Sequence, residues 1–332
     1  MIRIGVLGCA RIAPPAVIGP ARRIRDASIV AVASRDGARA TRWAKRHHVP
    51  RAYGSYERML SDPDVDAVYI PLPNSLHAEW TLKAIEAGKH VLCEKPLASS
   101  EPEALRLAAA ARSSGLVCME AFHYRYHPLA RRIEAIVAEG ELGELRRVEV
   151  QLSLPVVLPR DIRWDPDLDG GAAMDVGCYA VNAARWLLDG EPVVRTAAGV
   201  LTGRGVDRSF EATLQFPRAE AVLRGSILGP PMSRLRVEGT RGSLDCFNPI
   251  LPQLMYRLRV TVGGATRTER VAKGTTYAYQ LASFVAAVRD GAPFPTTFED
   301  SVKTMRVLDQ VRGIIGVRGS ATEERRVTRR AS

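Results

Sequence analysis

Up to about residue 122, short apolar runs rich in valine and isoleucine alternate with stretches of helical periodicity. The runs predict strands at residues 2–7, 29–34, 67–70, 90–93 and 116–121. With helices between them, this is the signature of β-α units stacked around a parallel sheet. One helix start is well marked: Ser100 can cap, Pro102 suits the first turn, and Glu103 completes a capping box.

A linking helix is expected near residues 129–139, and beyond it the pattern changes. Segments of alternating polarity separated by turns, such as 147–154, 210–216, 221–228 and 235–238, predict a mostly antiparallel sheet. Helices are expected at 172–188, 279–289 and 299–315, so the second half reads as α+β. No internal repeat or low-complexity linker is visible. The expected organisation is a first domain over 1–122, a second over 123–316, and a basic tail over 317–332.

Length and composition agree with two cores. Single hydrophobic cores usually stop growing before about 250 to 300 residues, and the chain has 332. Its 46% apolar and 25% charged residues are ordinary globular values that exclude a fibre or a disordered chain. No stretch reaches the roughly 18 to 20 apolar residues of a membrane span, and MIRIGVLGCA opens directly into a strand without a signal-peptide pattern. A cytoplasmic protein without a membrane partner is expected. Cys9, Cys93, Cys118, Cys178 and Cys246 contain no CxxC pair, so they read as reduced thiols and no metal is expected. The net charge of +11 raises the question of nucleic acid. Arginine outnumbers lysine 41 to 6, however, and is spread along the whole chain rather than gathered on one face. Only the tail RGSATEERRVTRR is locally basic, and it reads as a solvated segment.

Directly after the first strand stands Gly8-Cys9-Ala10-Arg11-Ile12-Ala13, a G-x-A-x-x-A version of the dinucleotide fingerprint. The first glycine permits the tight turn, the second small residue lets backbone approach a pyrophosphate, and the third allows close helix packing. Pro14 and Pro15 then open a helix whose dipole favours an anion. About 20 residues further on, where NAD enzymes commonly carry an acidic residue for the ribose 2'-hydroxyl, the second strand ends in Ser34 and Arg35. A hydroxyl and a guanidinium suit a 2'-phosphate, so NADP(H) is the expected cofactor, with NAD(H) as the alternative.

Glu94-Lys95-Pro96 closes the strand at 90–93, on the carboxyl edge of the sheet where open α/β folds bind ligands. A lysine there can polarise a carbonyl or steady an alkoxide. Far downstream, Gly170 and Gly171 precede a helix on which Asp175 and Tyr179 are four residues apart and share a face. On so apolar a helix an aspartate is costly to bury without a partner, and Lys95 is the expected one.

Taken in order, the glycine loop, Pro71-Leu72-Pro73-Asn74 with His77, Glu94-Lys95-Pro96, and Asp175-x-Gly177-x-Tyr179 resemble the family of glucose-fructose oxidoreductase, inositol dehydrogenase and MocA. The resemblance covers nearly the whole chain. It implies an α/β protein with an N-terminal Rossmann domain and a C-terminal α+β domain built on a large, mostly antiparallel open sheet. It also implies nicotinamide chemistry on sugars, inositols or vicinal diols, and homodimers or homotetramers formed through that sheet. Cofactor contacts are expected from Gly8, Cys9, Ala10, Arg11, Ile12, Ser34, Arg35, Pro71, Leu72, Pro73, Asn74, His77, Glu94 and Lys95. Substrate contacts are expected from His123, Tyr124, Arg125, Arg163, Trp164 and Asn182.

Lys95 matches the family's catalytic lysine and Asp175 its aspartate. Tyr179 stands where many members carry an acid-base histidine, and Asn182 where an aspartate is frequent. These departures, with Glu120-Ala121-Phe122 and Arg163-Trp164-Asp165-Pro166, resemble the subgroup of dimeric dihydrodiol dehydrogenases and NADP-dependent xylose dehydrogenases, in which a tyrosine serves. Tyrosine can do so if its pKa falls from about 10, and a nearby ammonium favours the phenolate. The resemblance also implies a cis Lys95-Pro96 bond. Two other readings stay open: a relative that recycles its cofactor during glycoside cleavage or reduces a ketosugar, and a non-catalytic dinucleotide-binding regulator.

Overall fold

The computed structural model describes residues 1–317; residues 318–332, nearly all of the basic tail, lie outside them. The chain divides into two compact units, the first made of Met1–Ala98, Pro102–Tyr126 and Gly274–Val302. Its strands are β1 (Ile2–Leu7), β2 (Ala27–Ala33), β3 (Arg51–Tyr53), β4 (Ala67–Ile70), β5 (His90–Cys93) and β6 (Cys118–Glu120). All pair in parallel in the order β3-β2-β1-β4-β5-β6. The order reverses beside β1, and in such sheets ligands bind at the carboxyl ends around that switch point. β4 is buried at every position, as a strand covered on both faces must be. β3 is too short to show a period in the sequence; pairing with Ala31–Ala33 of β2 makes it a strand.

Five helices lie between these strands: α1 (Pro14–Ile18 continuing through Gly19–Ala21), α2 (Gly37–His47), α3 (Tyr56–Leu60), α4 (Asn74–Glu86) and α5 (Glu101–Ser114). The second unit contains α6 (Pro128–Ala138) and α7 (Ala173–Gly177 continuing through Cys178–Leu187). The last two helices are α8 (Thr276–Asp290) and α9 (Phe298–Ile315). The sequence reading assigned residues 123–316 to the second domain, and here the structure differs. α8 belongs to the first unit, where Leu281, Phe284 and Val285 are buried in one core with Ile4, Val6, Ala13, Ala16 and Val17. Its apolar stripe was visible in the sequence, but a stripe does not say which sheet will cover it.

The second unit comprises Ser99–Glu101, His127–Lys273 and the chain from Lys303. Its strands are β7 (Leu145–Ser153), β8 (Val193–Leu201), β9 (Asp207–Gln215), β10 (Glu220–Ser226), β11 (Met232–Gly239), β12 (Gly242–Phe247), β13 (Arg257–Val262) and β14 (Ala265–Glu269). They form one sheet in the order β14-β13-β12-β11-β7-β10-β9-β8, antiparallel except where β10 runs parallel to β7. On β7, Val148, Val150 and Leu152 are buried while Arg147, Glu149 and Gln151 turn outward. The outward face carries ion pairs such as Arg147–Glu149 at 2.8 Å and Arg224–Glu211 at 2.7 Å. Pairs this exposed contribute at most about 1 kcal/mol each, so the sheet is held by its buried face. No helix among the described residues is long and apolar enough to cross a membrane.

Candidate active site

Within the first unit, the carboxyl ends of β1, β2, β4 and β5 carry the expected cofactor residues. Gly8 has φ +108°, and its amide donates to Ala33 O at 2.9 Å, tying the glycine loop to the end of β2. A Cβ on Gly8 would be strained by this φ and would come to 3.0 Å from Leu72 Cδ2, so the turn calls for glycine chiefly for its backbone. Cys9, Ala10 and Ile12 are half-buried along the loop and Arg11 is exposed. Ser34 is buried at the exit of β2 and its hydroxyl accepts from Asp36 N at 3.2 Å. The Asp36 carboxylate is turned to cap α2 through Arg39 N at 3.0 Å. Arg35 is exposed and lies against the Tyr56 phenol. Arg39, which sequence reasoning did not single out, reaches back to Cys9 O at 3.3 Å. Three groups that suit an anion therefore border the loop, while the nearest carboxylate is engaged by its helix. This surrounding fits a 2'-phosphate.

The turn after β5 is fixed from behind. Lys95-Pro96 is cis, as the resemblance implied. Tyr69 donates its hydroxyl to Glu94 Oε1 at 2.6 Å, and Leu97 N donates to Glu120 Oε1 at 2.8 Å. His77, expected to bind cofactor, is instead spent on backbone: Nδ1 is 2.7 Å from Pro96 O and Nε2 is 2.7 Å from Leu72 O. With 1% exposure it braces two loops and has no ring nitrogen left for a ligand. Burial pushes its pKa down, and the Lys95 charge acts in the same direction, against the two carbonyls. His123 begins a helical turn, His123–Tyr126, and its ring packs on Tyr277 with centroids 4.4 Å apart. Burial, helped by the Lys95 charge, lowers its pKa to about 3, so it is neutral at ordinary pH. Tyr124 is buried edge-on to Phe122, while Arg125 in the same turn stays half-buried.

Glu120 is a second support that the sequence did not reveal. Besides Leu97 N it accepts from Ser301 Oγ at 2.5 Å, and burial pushes its carboxyl up to about 8. The folded chain thus keeps a proton that an unfolded chain releases above about 4.5. Stability linked to this proton is fully present below that value and is lost as pH rises towards about 8. Glu120→Gln is always neutral and nearly isosteric, so it should remove the slope. Thermal unfolding at about pH 5 and pH 8 is expected to show the variant gaining on the parent chain at the higher pH; parallel profiles would exclude the protonated carboxyl.

In the second unit, α7 carries the other expected residues. Asp175 (9% exposed), Tyr179 (8%) and Asn182 (1%) lie on it, and its first turns, Ala173–Gly177, are π-type before regular α spacing resumes. Such wide turns recur at functional sites. Gly170 and Gly171 make the approach possible: a Cβ on Gly170 would sit 2.4 Å from Arg163 O, and one on Gly171 2.0 Å from Asp207 Oδ1. Asp207 accepts from Ala173 N at 2.6 Å, and burial raises its pKa to about 6. Arg163, expected in the substrate pocket, donates from Nε to Asp175 Oδ2 at 2.8 Å and from Nη1 to Asp161 Oδ1 at 3.0 Å. Burial opposes its charge, but the two carboxylates outweigh that and hold its pKa up. Within this unit Arg163 is a counter-charge of Asp175, a pairing that sequence reasoning did not single out. Trp164, next in the chain, donates to Val156 O at 3.3 Å.

Residues 2–122 match the oxidoreductase family with an NAD-binding Rossmann fold, and residues 130–245 match the GFO/IDH/MocA C-terminal domain. The chain belongs to the GFO/IDH/MocA oxidoreductase family. Among its relatives, D-xylose 1-dehydrogenase (NADP(+)) 2 of Haloferax volcanii is 40% identical over 314 residues, 92% of this chain and 95% of that one. Trans-1,2-dihydrobenzene-1,2-diol dehydrogenase of Xenopus laevis is 34% identical over 70% of this chain and 69% of that one. Both fit the subgroup read from Tyr179. A solved 3-ketoreductase from Actinomadura kijaniata, in complex with NADP and TDP-benzene, superposes with a TM-score of 0.88 at 31% identity, covering 94% of this chain and 97% of that one. Like other GFO/IDH/MocA members, the chain is an NAD(P)-dependent oxidoreductase with a parallel Rossmann sheet and a mostly antiparallel second sheet.

Proposed function

We propose that the chain transfers hydride between NADP(H) and a CH–OH carbon of a sugar, inositol or vicinal diol. The observation that carries this reading is Lys95, set at the carboxyl end of β5 on a turn pinned by Tyr69, His77 and Glu120. The glycine loop with Ser34, Arg35 and Arg39 would hold the cofactor, which when bound supplies the hydride acceptor or donor. Lys95 bonds the reacting oxygen and favours the Tyr179 phenolate, Tyr179 exchanges the substrate proton, and Asp175, oriented by Arg163, orients lysine or substrate. Reduction of a ketosugar is the same chemistry run backwards, and several relatives are named as sugar 3-reductases.

A panel of aldoses, inositols and trans-diols with NADP+ and NAD+ tests the reading. Net reduction of cofactor is expected with some member of the panel. Binding of cofactor without net redox would favour the recycling relatives, and no binding would overturn the proposal. Assembly through the outward face of the eight-stranded sheet belongs to the same reading. That face carries the arginines and carboxylates Arg147, Glu149, Glu211 and Arg224, a mixed-charge surface that could meet the same surface of a second copy, and light scattering checks the assembly.

Cofactor choice gives a separate expectation. NADP(H) should bind at least about tenfold tighter than NAD(H), a difference of about 1.4 kcal/mol, and Arg35→Ala should erase most of that preference. Titration of both cofactors checks it; equal affinities in the parent chain would sink the assignment.

A further inference from the structure

Tyr277 was not singled out by any motif. It lies on the first turn of α8, one helical turn before Leu281, whose burial in the first core fixes the helix. Its ring packs against the buried His123 at 4.4 Å and a 45° interplanar angle, and against the core around Leu281. It stands close enough to Glu94 to feel that carboxylate, and Glu94 is the neighbour of Lys95 in the chain. Glu94 already receives the Tyr69 hydroxyl, whereas the half-buried Tyr277 hydroxyl bonds to no group among the described residues. A half-buried phenol packed on one ring, with an unused donor beside the chain neighbour of Lys95, suits a recognition element better than core filling.

We propose that Tyr277 is a specificity-determining residue that donates a hydrogen bond to a substrate hydroxyl next to the reacting carbon. The assignment rests on the proposed function. Burial, reinforced by the Glu94 charge, pushes the phenol pKa up, so at neutral pH Tyr277 keeps its proton and can donate it in a hydrogen bond. Its task is thereby distinct from that of Tyr179, which must release a proton. A site built to bond a hydroxyl discriminates strongly against an analogue that lacks it, because bound substrate covers the donor and leaves it unmatched.

The test compares the parent chain with Tyr277→Phe on a good substrate and on its analogue deoxygenated at the carbon beside the reacting one. For the full substrate, the variant should lose about tenfold or more in kcat/KM, with most of the change in KM. For the deoxy analogue the two proteins should differ little, and the NADPH dissociation constant should be unchanged. Equal loss on both substrates would mark a structural role, weakened NADPH binding would mark a cofactor contact, and unchanged kinetics would show no role; each overturns the assignment. A parent chain that turns over no member of the panel fails at the functional reading itself, a result separable from a parent chain that works and a variant that matches it.

Discussion

Replacing Lys95 with alanine is expected to lower kcat by at least about a hundredfold while NADPH still binds. The lysine is proposed to contribute twice, once by bonding the reacting oxygen where negative charge develops and once by favouring the tyrosine phenolate. Removing one aimed donor costs about a hundred- to a thousandfold in comparable sites, and loss of the phenolate's support adds to it. The side chain is half-buried on a turn whose other members are held by backbone and buried side chains, so alanine should leave the turn in place. Single-turnover measurements with cofactor bound separate the chemical step from binding. Near-normal turnover in Lys95→Ala would remove the mechanism proposed for this site.

Tyr179→Phe should cost about a hundredfold or more, the usual scale of a general acid-base group. It deletes one oxygen from a side chain that is 8% exposed on α7, so fold and cofactor affinity should survive. Tyrosine and lysine are proposed to act as one unit, and the double variant should then be little worse than either single one. Turnover retained by Tyr179→Phe with NADPH bound would mean the proton travels by another group, Asp175 or Lys95 being the first to examine.

Much of this was legible in the sequence because it rests on local rules. The G-x-A-x-x-A loop reads as a turn that only small residues fit, and Gly8 with φ +108° bears that out. Ser34 and Arg35 follow from their place at a strand end, and Tyr179 from its spacing to Asp175. What sequence reasoning missed are partners brought from far along the chain. Asp207 meets Ala173 from 34 residues away, Ser301 meets Glu120 from 181 away, and Tyr277 on α8 packs against His123, which stands far earlier in the chain. No period or motif encodes such meetings.

The parallel and antiparallel sheets, the glycine loop and the identity of the residues offered for chemistry could be read from the chain alone, since apolar periodicity and glycine sterics act over a few residues. What those residues can be used for depends on how the chain packs. His77 became a brace because two carbonyls converged on its ring, Asp175 acquired Arg163 as a counter-charge, and α8 joined the first core because Leu281, Phe284 and Val285 found apolar surface there. Charge, protonation and side-chain direction depend on burial and on partners distant in the chain, and these are fixed when the elements pack.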